Sequence, residues 1–206
     1  MIGIYGGTFD PVHFGHLRTA LEIREIFAAT EMRLVPSVRP PHREQPAVSV
    51  AMRVEMLHAA LDGHPGLVVD TRELDRAGPS YMIDTLASIR SEVGAEEPLL
   101  LCIGCDAFLQ LQSWHRWRQL FDHAHIVVIT RPGWRHEALV PFYQGRLADA
   151  VETLQTTACG RLLFQQVTRL EISATRIREI IAEGKDPGFL LPDAVLAIIA
   201  EHRLYR

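Results

Sequence analysis

Short apolar runs of strand length alternate with longer stretches of helical periodicity along the whole chain. Residues 1–5 read as a strand, and residues 14–28 follow with Leu17, Ala20, Leu21, Phe27 and Ala28 spaced for one helical face. Residues 32–36 read as a second strand, residues 48–61 (Val48, Met52, Met56, Leu57) as a second helix, and residues 67–70 as a third strand. Ser80 is expected to cap the next helix, which carries Ile83, Leu86 and Ala87 on one face. Residues 99–103 and 126–130 carry the strongest strand signal, an apolar run unbroken enough for burial on both faces, and residues 162–167 read as a further strand. Two helices follow, 174–183 closed by Gly184 and 193–202 with Val195, Ile198 and Ile199 in step.

Strict alternation of this kind predicts an α/β fold, a doubly wound parallel sheet with right-handed crossovers and helices on both faces. Ligands of such sheets bind beyond the carboxyl ends of the strands, where the strand order reverses. A length of 206 residues suits a single domain spanning residues 1–206, with a core that needs no staples. No internal repeat or linker interrupts it, and the Pro- and Arg-containing stretch 36–46 falls after a strand, where a binding loop belongs.

Composition narrows the function classes. With 48% hydrophobic and 22% charged residues the chain is neither disordered nor collagenous. No run approaches the ~18 apolar residues of a membrane span, and no basic region precedes the first apolar run, so the expectation is a cytoplasmic protein with no membrane partner. A net charge of -4 argues against broad nucleic-acid binding. The basic residues are lopsided, since Lys185 is the sole lysine among 21 basic side chains. Coding bias is one reading of that excess, bidentate clamping of phosphates or carboxylates by some of the arginines is another, and composition alone does not choose between them. Cys102-Ile103-Gly104-Cys105 has the spacing of redox and metal sites, but Cys102 lies inside an apolar strand and further ligands are scattered. It reads as a buried strand cysteine plus a small residue in a turn.

Candidate chemistry sits in the first strand-to-helix turn, Tyr5-Gly6-Gly7-Thr8-Phe9-Asp10-Pro11-Val12-His13-Phe14-Gly15-His16. Gly6 and Gly7 let the backbone approach a ligand, and the helix start directs unpaired N–H groups at it, so an anion is expected there. His13 and His16 are three residues apart and face one side, placed to donate to phosphate oxygens, while Gly15 leaves room for a base or phosphate to lie against the helix. Ile172-Ser173-Ala174-Thr175-Arg176-Ile177-Arg178 opens another helix, with Ser173 as N-cap and Arg178 as a charged fork.

The first turn fits the pattern T-F-D-P-x-H-x-G-H and resembles the nucleotidylyltransferase superfamily with the HxGH motif. The second segment resembles that family's I-S-x-T-x-I-R motif. The resemblance implies a Rossmann-like fold and an ATP site formed by Gly6, Gly7, Thr8, Phe9, His13, Gly15 and His16 with Ser173, Thr175 and Arg178. His13, His16 and Arg178 would be catalytic, and no covalent enzyme intermediate would form. Mg2+ would be held mainly by the ATP phosphates, with no metal ligand assigned to the protein.

Four more segments resemble the bacterial nicotinate-nucleotide adenylyltransferases. They are Pro36 to Arg43, Pro79 to Leu86, Ile103-Gly104-Cys105-Asp106 with Trp114 downstream, and Leu190 to Tyr205. The likeness then covers essentially the full chain, with ATP and nicotinate mononucleotide as the substrates and NAD biosynthesis as the setting. Trp114 would stack on the pyridine ring, amides near Thr85 and His115 would hold its carboxylate, and Asp106 would contact the ribose near Gly104. His42, Arg43 and Arg131 would lie near the acceptor. Blander readings stay open: Trp114 and Trp117 as packing aromatics, residues 39–43 as a solvated loop, Asp106 as a helix cap. Ser37, Met82, His115 and Thr130 depart from the family pattern and bear on the shape of the acceptor pocket. Rival readings are another HxGH-family adenylyltransferase, such as the pantetheine-phosphate enzyme, or a non-catalytic nucleotide sensor; a homo-oligomer is left open.

Overall fold

Successive strand residues alternate between two cores. On β1 (Ile2–Gly7) Ile2 and Ile4 enter one of them. On β2 (Glu31–Pro36) Val35 joins that side, while Met32 and Leu34 face the other. Beyond β3 (Leu67–Val69), β4 (Leu99–Gly104) divides Leu99, Leu101 and Ile103 from Leu100 and Cys102. β5 (His125–Thr130) divides Ile126 and Val128 from Val127 in the same way. Apolar residues in both phases of a two-residue period are what a strand covered on both faces requires. With β6 (Leu162–Gln166) these strands make one parallel sheet in the order β3-β2-β1-β4-β5-β6. The computed structural model describes residues 1–39, 45–130, 141–168 and 170–206.

The helices are α1 (Phe14–Ile26), α2 (Val50–Leu61), α3 (Met82–Val93), α4 (Cys105–Leu109), α5 (Leu120–His123), α6 (Pro141–Gln144), α7 (Glu152–Gln155), α8 (Ala174–Ala182) and α9 (Asp193–Glu201). Ile23, Leu57, Ile177 and Ile199 bring α1, α2, α8 and α9 onto the face of Leu100 and Val127. Leu86, Phe108 and Leu120 bring α3, α4 and α5 onto the opposite face. This is the doubly wound α/β arrangement that the alternation predicts. From β1 the chain winds outward to β2 and β3, then crosses back to β4 on the other side of β1. The order reverses there, so Gly6 and Gly7 on β1 and Gly104 on β4 end at the crevice where ligands of such sheets bind.

Element boundaries depart from expectation where short-range chemistry intervenes. Ser80 does not cap α3: the N-cap is Tyr81, and the Ser80 hydroxyl accepts the backbone N–H groups of Val38 and Arg39, both at 3.1 Å. It thereby ties the loop after β2 to the start of α3. The second helix begins at Val50, capped by Ser49, which accepts the Met52 N–H at 3.3 Å. Cys105 opens α4 rather than sitting in a turn, and its Sγ donates to the Ile129 carbonyl at 3.1 Å. Burial pushes the Cys102 thiol up to about 12, so it packs rather than reacts. Trp117 is likewise a packing residue, its ring 4.9 Å from Phe142 and 5.5 Å from Tyr143. None of the described helices is long and apolar enough to cross a membrane.

At the amino ends of the strands one arginine gathers three loops. Arg90 on α3 donates to the carbonyls of Gly94 (2.9 Å) and Glu97 (2.6 Å) before β4, His123 (2.6 Å) before β5 and Ala158 (3.0 Å) before β6. Its planar guanidinium spreads its N–H donors over a rigid fork that spans carbonyls on separate loops, whereas an ammonium gathers fewer donors on a single atom. Arg90→Ala leaves these acceptors without their donor, and we expect urea unfolding to show a loss of about 3 kcal/mol. Turnover of the surviving folded protein should be unchanged, because the clamp lies at the opposite ends of the strands from the crevice.

Candidate active site

The β1–α1 turn is shaped by rings. Phe9 takes a left-handed backbone (φ 50°) and is buried. A Cβ on Gly7 would come within 2.8 Å of the Phe9 ring, so the close return of the chain depends on glycine there. Phe9 meets His16 edge to face with centroids 5.1 Å apart, and His16 stacks on His13 at 3.7 Å and 26°. A Cβ on Gly15 would lie 3.0 Å from the His13 ring and 3.5 Å from the Ile172 carbonyl oxygen. The room at Gly15 therefore admits the His13 imidazole and the approach of the segment preceding α8. His13 is 4% exposed, and its Nδ1 is buried with no hydrogen-bond partner among the described residues. Burial lowers its pKa to about 4, so near neutral pH the His13 ring is uncharged where it stacks.

Asp10 is the hub of this turn. Its carboxylate accepts the Tyr205 hydroxyl at 2.8 Å and the Ala47 N–H at 2.7 Å, while its carbonyl accepts Arg178 Nη1 at 2.7 Å. Arg53, 1% exposed on α2, donates to the Thr8 carbonyl at 2.6 Å. On the other side Ser173 caps α8 as expected, accepting the Arg176 N–H at 3.1 Å, and Arg178 Nη2 lies 3.3 Å from Thr175 Oγ1. The HxGH turn and the start of α8 are thus held together directly.

Beside them opens a cavity of about 340 Å³ lined by Gly6, Gly7, Thr8, Asp106, Trp114 and His115 together with Ser37, Glu73, Ser80, Tyr81 and Met82. His115 stacks on Tyr81 at 4.4 Å and 30°. Gly104 is the N-cap of α4, and Asp106 lies in that helix's first turn. Thr85 stands behind the wall: it is fully buried, its hydroxyl lies 2.6 Å from Glu73 Oε1 and 3.1 Å from Arg76 Nη2, and its N–H is bonded to the Tyr81 carbonyl. His42, Arg43 and Arg131 lie outside the described residues.

Sequence reasoning assigned no role to Asp10, Arg53, Glu73, Tyr81 or Tyr205. Arg53 stands in phase with Met56, Leu57 and Ala60, so a charge among apolar helix positions was the available signal. Glu73 follows the carboxyl end of β3, where a ligand loop belongs. Tyr205 closes the Leu190 to Tyr205 segment that carries the family resemblance, but the resemblance gives it no role of its own.

The buried histidines set an acid limit. His13 titrates near 4 when folded and near 6.5 when unfolded, so the unfolded chain binds more protons between those values. His125 has the same sign: burial lowers its pKa, and its neutral ring is fixed by Nε2 on the Thr157 carbonyl at 2.8 Å and Nδ1 accepting the Arg161 N–H at 3.1 Å. The His13 contribution is complete above pH ~6.5 and is lost as pH falls toward 4, and that of His125 is lost in the same direction. Urea unfolding across that window should show stability falling with pH, and His13→Gln should flatten the slope.

The cytidylyltransferase-like family model matches residues 4–180. A protein of Methylococcus capsulatus named probable nicotinate-nucleotide adenylyltransferase is 51% identical over 214 residues, covering 100% of this chain and 99% of its own. A Pseudomonas aeruginosa protein of the same name is 48% identical over 208 residues, covering 100% and 97%. The fold is also similar to that of Plasmodium falciparum nicotinic acid mononucleotide adenylyltransferase complexed with NaAD, with a TM-score of 0.73 at 16% identity, covering 99% of this chain and 96% of that one. Sequence relationship along the whole chain, with the HxGH turn and the α8 start meeting at one crevice, makes this chain a member of the nicotinate-nucleotide adenylyltransferase family.

Proposed function

We propose that the whole chain acts as one nucleotidylyltransferase domain, transferring the adenylyl group of ATP to nicotinate mononucleotide to give deamido-NAD and pyrophosphate. The observation that carries the proposal is the meeting of the His13–His16 turn and the Ser173–Arg178 helix start beside an aromatic-walled cavity. An oxygen of the acceptor's 5′-phosphate attacks the α-phosphorus of ATP in line, that P–O bond forms, and the bond to the β-phosphate oxygen breaks. The attacking group is already an anion, so positioning and charge neutralisation supply the catalysis.

His16 and His13 donate to phosphate oxygens, and the negative triphosphate favours the protonated form of His13 where burial alone opposes it. Gly6, Gly7, Thr8, Phe9 and Gly15 form the ATP side of the turn. Ser173, Thr175 and Arg178 hold the outer phosphates, since Arg178 keeps further N–H donors beyond those bound to Asp10 and Thr175. Trp114 supplies a ring face to the pyridine, with Asp106 toward the ribose and the His115 segment toward the carboxylate. His42, Arg43 and Arg131 complete the acceptor side of the proposal. Among the described residues no group of three or more His, Cys, Asp or Glu side chains could hold a metal ion, and Asp10 is engaged by Tyr205 and Ala47. That donor set suits Mg2+ carried on phosphate oxygens and water, where it would neutralise charge on the leaving pyrophosphate. The proposed compartment is the cytoplasm.

Pyrophosphate release with ATP and Mg2+ should depend on nicotinate mononucleotide; dependence on phosphopantetheine would instead overturn the acceptor, and no release with either would favour a sensor. His16→Ala should lower kcat by about 10²- to 10³-fold with its circular dichroism unchanged. Trp114→Ala should raise the acceptor KM about tenfold or more through lost ring stacking, leaving the KM for ATP near its original value.

A further inference from the structure

Tyr205 follows α9, far in sequence from the HxGH turn, yet its hydroxyl reaches Asp10 Oδ1 at 2.8 Å. Asp10 is 4% exposed, so both carboxylate oxygens need donors from within the protein. Oδ2 is served by the Ala47 N–H and Oδ1 by Tyr205. Among the described residues the nearby cations are Arg53, whose Nη1 is committed to the Thr8 carbonyl, and Arg178, whose Nη1 lies 3.9 Å from Asp10 Oδ2 while bonding the Asp10 carbonyl at 2.7 Å. Arg178 therefore already forms a long ion pair with the Asp10 carboxylate, one that a small movement would tighten. A buried carboxylate that lost its hydroxyl donor would draw that guanidinium inward, because an unpaired buried charge costs more than an altered rotamer.

We propose that Tyr205 is a positioning residue of the ATP site: its hydroxyl satisfies the Asp10 carboxylate with a neutral donor and so keeps the Arg178 guanidinium directed to the phosphate cleft. This rests on the reading of Arg178 as a phosphate ligand, but not on the identity of the acceptor. Removing the hydroxyl while keeping the ring leaves Asp10 to compete with the triphosphate for Arg178. Removing the carboxylate's charge as well abolishes that competition.

Tyr205→Phe, Asp10→Asn and the double variant would be compared in the full chain by titration with α,β-methylene-ATP and by steady-state kinetics. Tyr205→Phe should weaken binding of the analogue about tenfold, as expected for a lost hydrogen bond to a charged group. The acceptor KM should not move. Adding Asp10→Asn to Tyr205→Phe should restore most of the lost affinity, a rescue that a merely structural role does not produce. Unchanged analogue binding in Tyr205→Phe, equal loss for both substrates, or a deeper loss in the double variant would each overturn the proposal. Wild-type protein that binds the analogue but releases no pyrophosphate with nicotinate mononucleotide would overturn the acceptor assignment alone, and the titration would still decide the role of Tyr205.

Discussion

A parallel strand buried on both faces has no position along its length for a polar group that must meet solvent, so the chemistry of this chain is displaced to the strand ends. Residues of β1, β4 and β5 fill two cores in alternation, and the groups able to bind a ligand begin where those strands stop. Winding direction then selects the place. Because the order reverses between β1 and β4, the loops leaving those two strands splay apart and leave the crevice between them. The Gly6–Gly7 end of β1 and the α4 start after Gly104 become its two sides.

A crevice alone would be soft, and the β1–α1 turn is made firm by charges rather than by apolar packing alone. Asp10 and Arg53 are nearly buried, and each is bonded to main chain or to a neutral donor rather than to the other. Buried ionic groups contribute little net stability but fix one geometry, because alternatives leave a polar group unpaired. The arginine excess takes on a second meaning here. Arg53 and Arg90 bond carbonyls, and Arg72 grips both oxygens of Asp70 with Nε at 2.9 Å and 2.8 Å while reaching Glu92 at 2.7 Å. Clamping within the protein engages these arginines, and Arg178 stands between internal clamp and ligand donor.

The strands and long helices were legible because their periodicity runs over several turns or along both faces of a strand. α4 and α5, at five and four residues, complete little more than one turn and leave no such trace. Ser80 had the residue type of a cap but bonds the loop after β2, a tertiary use that local pattern does not encode. In the site, the HxGH turn and the Ser173 segment could be read as strings. Their contact, bridging residues 168 apart from Arg178 to Asp10, is a product of the crossovers. Tyr205 falls in a segment that carries the family resemblance, but its contact with Asp10, 195 residues away, is unreadable for the same reason.

The sheet has a division of labour along its strands. Arg90 ties the loops entering β4, β5 and β6, whereas the groups that form the candidate site leave β1 and β4 at the other end. Six-residue strands separate the two ends by roughly 20 Å, beyond the range at which substitutions usually couple. Resistance to heat and choice of substrate can then drift independently in descendants of this sequence, each through its own end of the same strands.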